Sequence, residues 1–187
     1  MKKTLLTLAV LAGATLTAAS VQAKDLTGGF VNLGAGHVSY HATFDNYDLG
    51  SEHGTAVILN AGYRTQFIGF EAGYTDLGEF SDQDSSSSTW GLMVNTRGIL
   101  PIGKHFELDL LFGLVWMQRD LTFGSVSDDV SGTTGKFGIG FAVPVNERLA
   151  FNFEYNQYLD FALGFDDDFD LYVDDTTSYS LGVRWKF

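Results

Sequence analysis

The last eleven residues read Thr177-Ser178-Tyr179-Ser180-Leu181-Gly182-Val183-Arg184-Trp185-Lys186-Phe187. From Tyr179 onward every second residue is apolar: Tyr179, Leu181, Val183, Trp185 and Phe187. The residues between them, Ser180, Gly182, Arg184 and Lys186, are small or charged. Period-two alternation is the signature of a β-strand with one apolar and one polar face. Soluble domains usually end in a loose polar tail, whereas this strand runs to the terminal carboxylate and stops on an aromatic residue.

The same pattern recurs upstream. Residues 149–159 place Phe151, Phe153 and Tyr155 opposite Asn152, Glu154 and Asn156. Residues 133–143 place Phe137, Ile139, Phe141 and Val143 opposite Lys136, Gly138 and Gly140. Residues 106–116, 89–100, 67–75, 55–64 and 29–40 follow the same rule. Their apolar faces carry residues such as Leu108, Leu92, Phe70, Leu59 and Leu33. Their other faces carry Glu107 and Asp109, Arg97, Glu71, Arg64, and Asn32. Eight segments of about ten residues, with no helical periodicity between them, have the length that tilted membrane strands need.

The connections alternate between short and long. The short ones follow segments two, four and six, at Gln66, 101–105 and 144–148, and contain both prolines, Pro101 and Pro144. Proline is tolerated at strand ends, where its missing N–H does least harm. The long ones are 41–54, 76–88, 120–131 and 160–176, and they hold 17 of the 23 acidic residues. Ionised carboxylates stay in water, so these spans read as long loops on one side of a bilayer, with tight turns on the other. Outward aromatics cluster toward the two ends, Tyr74, Trp90, Trp116 and Tyr179 at one, Tyr63, Phe106, Phe151, Trp185 and Phe187 at the other. Two aromatic belts mark two membrane interfaces.

Bulk properties agree. The chain has 187 residues, 22 glycines, 16 phenylalanines and no cysteine, with a net charge of −12. So many glycines disfavour a helix-rich domain. The acidity argues against nucleic acid as a partner. Lys2 and Lys3, an apolar stretch and "VQA" at 21–23 read as an export signal. The expected organisation is therefore a signal peptide over 1–23 and one barrel domain over 24–187. No stretch of 24–187 approaches the ~20 apolar residues of a membrane helix, and only helices and closed barrels satisfy their backbone in lipid. The expected fold is all-β: an eight-stranded antiparallel up-and-down transmembrane β-barrel. Its last strand must pair with its first, because an open edge in lipid would leave backbone groups unpaired.

The signal peptide, "FEAGYTDLG" at 70–78 and "YSLGVRWKF" at 179–187 resemble the small eight-stranded outer-membrane β-barrels of Gram-negative bacteria, such as the transmembrane domain of outer membrane protein A. The resemblance covers the whole chain after the signal. It implies that Tyr179, Leu181, Val183, Trp185 and Phe187 form the signal read by the outer-membrane assembly machinery. It implies an integral outer-membrane protein with extracellular loops, and short turns and C-terminus in the periplasm. It also implies a chain that stops where the barrel stops, without a periplasmic peptidoglycan-binding domain. Outer-membrane lipids and lipopolysaccharide are the expected surroundings, a monomer the expected state, and the loops the surface open to an extracellular or host ligand. No cofactor is expected.

Three sets of residues carry candidate chemistry. Inward positions hold Arg64, Arg97, Lys136 and Arg184 against Glu71, Glu107, Asp109 and Glu154. Buried charges must pair, so these eight are expected to form a cross-strand network that plugs the lumen. Glu71 is expected to pair with Arg97, Glu154 with Arg184, and Glu107 and Asp109 with Arg97 or Lys136. An eight-stranded barrel has room inside for little more than its own side chains, so a solute pore fits poorly.

The second set is His37, Ser39 and His41, aligned outward. Lipid A deacylases resemble this in carrying a His-x-Ser pair on the lipid side of an eight-stranded barrel. Their motif has Phe where this chain has Ala35, and it sits on a late strand rather than the first. A lipid A deacylase using His37 and Ser39 is the alternative to a structural or surface-interaction role. The third set is Asp166, Asp168 and Asp170, whose spacing suits a divalent cation. Leu171 and Thr177 stand where an EF-hand needs Gly and Glu, so a solvated acidic loop is the expected reading. "GTTGK" at 132–136 fails the spacing of a phosphate loop. The four histidines are too scattered in sequence to suggest a metal site.

Overall fold

A computed structural model describes residues 27–44, 47–82, 85–103, 105–123, 126–159, 161–165 and 169–187. Among these residues nine antiparallel strands follow one another: β1 (Gly28–Phe44), β2 (Tyr47–Arg64), β3 (Ile68–Asp82), β4 (Ser85–Ile102), β5 (Phe106–Phe123), β6 (Val126–Pro144), β7 (Leu149–Tyr158), β8 (Phe161–Phe165) and β9 (Phe169–Lys186). Each of β1 to β6 pairs with the next, β7 pairs with β9, and β9 pairs with β1. Eight strand positions thus close a ring, because β8 continues β7 along the same edge of β9, whose other edge β1 occupies.

Closure follows from the two ends of the chain. Phe30 stands opposite Lys186 and Leu33 opposite Val183 in the β1–β9 ladder, and Phe187 donates its backbone N–H to the Gly29 carbonyl at 3.0 Å. A Cβ at Gly29 would lie 2.7 Å from the Phe187 ring, so glycine leaves the space that the terminal aromatic fills. Tyr179, Leu181, Val183 and Trp185 all face outward with Phe187.

The strands are longer than the alternation suggested. Except for β7, with 10 residues, the ring strands run 15 to 19 residues. Eighteen residues span about 60 Å along the strand. At the usual tilt they rise about 40 Å, well beyond the ~25 Å apolar band. The described residues of 41–54, 76–88, 120–131 and 160–176 therefore largely continue the ladders rather than forming irregular loops. Ser85–Ser88 pair with Phe123–Asp120, for example. Backbone pairing needs no apolar side chain, so it continues into water after the hydrophobic pattern ends.

The short connections have local causes. Asn146 accepts hydrogen bonds from the backbone N–H groups of Arg148 and Leu149 at 2.8 and 2.9 Å, an Asx turn between β6 and β7. Gly103, at φ +68°, occupies a left-handed position between β4 and β5 that glycine tolerates best.

The outer face is apolar: Phe70, Phe112, Leu114 and Leu181 are all more than half exposed. At the end where the long hairpins begin, Tyr74 stacks on Trp90 at 6.0 Å and Trp90 meets Trp116 edge-on at 5.5 Å. This row forms one aromatic belt, and Tyr63, Phe106, Phe151, Trp185 and Phe187 form the exposed aromatics of the other end.

The lumen is filled by side chains in layers. Toward the long hairpins an apolar cluster of Val38, Tyr40, Ala56, Ile58, Leu77, Met93, Val115, Met117 and Tyr158 occupies it. A bulge in β3 between Asp76 and Glu79 turns Leu77 fully inward, and the Leu77 carbonyl accepts the Tyr40 hydroxyl at 3.0 Å. Below that cluster lie the charges. Inward glycines make the room: Gly73 stands beside Asn60, Gly113 beside Asn95, Gly138 beside Asn156 and Gly182 beside Asn152, each asparagine leaning over the cross-strand glycine. Small and large side chains alternate in this way to fill a narrow barrel.

Candidate functional site: the charged layer of the lumen

Arg97 is the centre of the charged layer and is fully buried. It projects from β4, and its guanidinium meets carboxylates from three other strands. Nη1 donates to Asp109 Oδ2 of β5 at 2.7 Å, and Nη2 donates to Glu71 Oε2 of β3 at 2.9 Å and to Glu154 Oε1 of β7 at 2.8 Å. Nε adds a 3.3 Å bond to Glu71. The contact with β7 crosses the lumen, since β5 and β6 lie between β4 and β7 in the ring.

Two further arginines extend the layer toward the short turns. Arg184 Nη2 donates to Asp109 Oδ2 at 2.9 Å. Arg64 grips Glu107 in a two-pronged pair, at 2.8 and 3.0 Å, the planar geometry that guanidinium and carboxylate share. Asparagines complete the carboxylates: Asn95 donates to Glu71 at 2.9 Å, Asn60 to Glu71 at 3.4 Å and Asn152 to Glu154 at 3.2 Å.

Glu71 and Asp109 both meet Arg97, as adjacent strands allow, whereas Glu107 takes Arg64 and Glu154 is shared unequally between two arginines. Glu154 takes Arg97 as its near partner, and Arg184 Nη2 lies 4.0 Å away. In the β7–β9 ladder Glu154 stands opposite Ser180, four residues from Arg184, so Arg97, reaching across the lumen, comes closer at 2.8 Å. Lys136 is reached by neither Glu107 nor Asp109. Register explains it: Lys136 pairs with Gly113, while Asp109 pairs with Gly140 and Glu107 with Ala142. Four residues are about 13 Å along a strand. The buried Lys136 ammonium instead lies 3.6 Å from Met93 Sδ and 5.9 Å from the Tyr158 ring. The asparagine donors were not singled out from sequence. Their signal was the recurrence of inward Asn on β2, β4 and β7.

The layer contains paired charged side chains and amides, and among its residues no nucleophile stands beside a base. Its chemistry is electrostatic cross-linking of β2, β3, β4, β5, β7 and β9 across the interior.

On the outer face, His37 is exposed and Ser39 half-buried. The fold adds a residue that sequence spacing separated by sixteen positions. His53 stands opposite Ser39, and its ring stacks on that of His37 at 5.2 Å. Two of the four histidines are thus neighbours rather than scattered. No hydrogen bond links Ser39 to either imidazole among the described residues, and the side chain of His41 lies outside them. Asp166 and Asp168 also lie outside the described residues, and Asp170 is placed only as part of the β9 backbone. Among the described residues no three His, Cys, Asp or Glu side chains converge on a metal-sized site.

The family defined by the outer membrane protein beta-barrel domain matches residues 6–187. The chain belongs to that family. Its members' fold recurs in solved structures at low identity. Neisserial surface protein A superposes with a TM-score of 0.70 at 18% identity, over 86% of this chain and 98% of that one. The N-terminal β-barrel domain of Pseudomonas aeruginosa OprF gives 0.56 at 12% identity, over 86% and 98%. Ail, the attachment invasion locus protein of Yersinia pestis, gives 0.54 at 16% identity, over 86% and 99%. At these identities the likeness is one of fold. No curated protein sequence matches the chain. Family and fold together make this an integral barrel of the Gram-negative outer membrane, with its apolar outer face against lipid.

Proposed function

We propose that the protein is a closed, non-conducting outer-membrane barrel that works at the cell surface through its long acidic hairpins. The observation that carries this reading is Arg97, whose guanidinium binds carboxylates of β3, β5 and β7 at 2.7 to 2.9 Å across the lumen. A side chain so held leaves no path for hydrated ions, and the apolar cluster above it repeats the obstruction. The ion layer is thus a plug and a brace rather than a catalytic centre.

In this reading the long hairpins are extracellular, and the short turns and the C-terminus are periplasmic, the usual arrangement of such barrels. Residues 1–23 are the export signal, the barrel is a monomer, and the alternating apolar residues of β9 ending at Phe187 direct its assembly. The partner at the hairpins is cationic or bridged by divalent cations, because 17 of 23 acids lie in those spans. Here the protein parts from Ail, which has been crystallised with the heparin analogue sucrose octasulfate; a sulfated ligand would meet like charge on these hairpins. Asp166, Asp168 and Asp170 are the candidate cation ligands. Planar-bilayer recording tests the plug: purified protein should give no steady conductance, and large sustained currents would overturn the reading.

The lipid A deacylase reading gains His53 as a second imidazole beside Ser39, but neither His37 nor His53 is hydrogen-bonded to Ser39 as an activating base would be. Mass spectrometry of lipid A from cells with and without the protein separates the two. Unchanged acyl content is expected, and loss of an acyl chain would establish the enzyme.

A further inference from the structure

We propose that the short-turn mouth of the lumen is a binding site for a phosphate-type oxyanion, built from Arg184, Arg64, Arg148 and Lys186. Below the charged layer these four side chains, with Phe30 and Ala150, line a void of about 20 Å³. The Arg184 guanidinium lies over the Phe30 ring at 5.6 Å and is only 4% exposed. Its Nη2 is engaged by Asp109, yet Nε and Nη1 meet no acceptor at hydrogen-bond distance. The carboxylate nearest Nη1 is Glu107 at 3.7 Å, and both oxygens of that group are already held by Arg64. Two donors of a buried cation that lines the void therefore lack a hydrogen-bonded protein acceptor, and buried donors in that state are costly unless something accepts from them.

The rim adds charge of the same sign. Arg148 stands exposed in the β6–β7 turn. Lys186 lays its stem across Gly28, where a Cβ would come within 3.1 Å of the lysine Cε. Glycine there leaves the lysine room to lie at the mouth. Arg64 and Arg184 are balanced by Glu107 and Asp109, so the further positive charge at this opening comes from Arg148 and Lys186, and a concave mouth focuses it. A void of this size admits one oxygen or one water. One oxygen of the anion would enter to accept from Arg184, and the others would remain between Arg148 and Lys186. Guanidinium donors match phosphate geometry well. The site is a property of the folded chain; the orientation proposed above would open it to the periplasm, to free phosphate esters or to a lipid phosphate.

The test uses the full barrel in non-ionic detergent at low ionic strength, titrated with inorganic phosphate by calorimetry. Saturable binding is expected, weakening as sodium chloride rises. In R148Q/K186Q affinity should fall about tenfold or more, one lost charge-assisted contact at least, while the urea midpoint without phosphate stays native-like. Should that double variant unfold, R148Q alone, in an exposed turn, must still weaken binding several-fold. Barrels in phosphatidylcholine vesicles with and without phosphatidylglycerol then separate the sources. Loss of phosphate binding on adding the anionic lipid identifies its headgroup as occupant, and unchanged binding identifies a soluble phosphate. No saturable phosphate binding to the wild-type barrel, or equal binding by folded R148Q/K186Q, would overturn the proposal. Neither result bears on whether the lumen conducts.

Discussion

Arg97→Met removes the one cation among the described residues that Glu71 meets within 4 Å. Asp109 keeps Arg184 at 2.9 Å, and Glu154 keeps it at 4.0 Å. Glu71 keeps only the amides of Asn60 and Asn95. Methionine replaces much of the arginine stem, so the lost volume is small and the effect is mainly a stranded buried carboxylate. Breaking a buried pair from one side costs about 3–5 kcal/mol. With a urea slope of about 2 kcal/mol per molar, the midpoint should fall by roughly 2 M. Adding Glu71→Gln removes the stranded charge, so the double variant should be more stable than Arg97→Met alone, although each change by itself destabilises. The assay is reversible urea unfolding in lipid vesicles, followed by the fluorescence of Trp90, Trp116 and Trp185, which all lie on the outer face. A midpoint shift below about 0.5 M for Arg97→Met, or strictly additive effects in the double variant, would refute the view that Arg97 braces the interior.

The partner assignment can be checked separately. In double-mutant cycles the coupling of Glu154 to Arg97 should exceed its coupling to Arg184, following the distances of 2.8 and 4.0 Å, and the reverse order would mean that the register drawn above is wrong. Replacing Phe187 by Asp should leave export intact and sharply reduce the heat-modifiable barrel found in outer-membrane fractions; normal amounts would remove Phe187 from the assembly signal. His37→Ala and Ser39→Ala, singly, should leave lipid A mass spectra unchanged, and a deacylation lost in either would restore the enzyme reading.

Alternation decided most of this protein before any coordinate was known. Which residues of 29–40, 55–64, 89–100 and 177–187 face lipid follows from period two alone, because a strand has only two faces and lipid rejects the charged one. Barrel closure followed from the same premise, since no edge is tolerated in hydrocarbon. What alternation could not convey was height. Strand tilt and register set which inward side chains share a level, and they are properties of the whole ring. That is why Glu154 meets Arg97 more closely than Arg184, why Lys136 sits beside Met93, and why His53 joins His37. Nor could apolar pattern mark where strands end, because the hairpins beyond the bilayer are held by backbone pairing that any residue can make. The basic mouth was hidden for the same reason: Arg64, Arg148, Arg184 and Lys186 come from three places in the chain, and only the closed ring brings them around one opening.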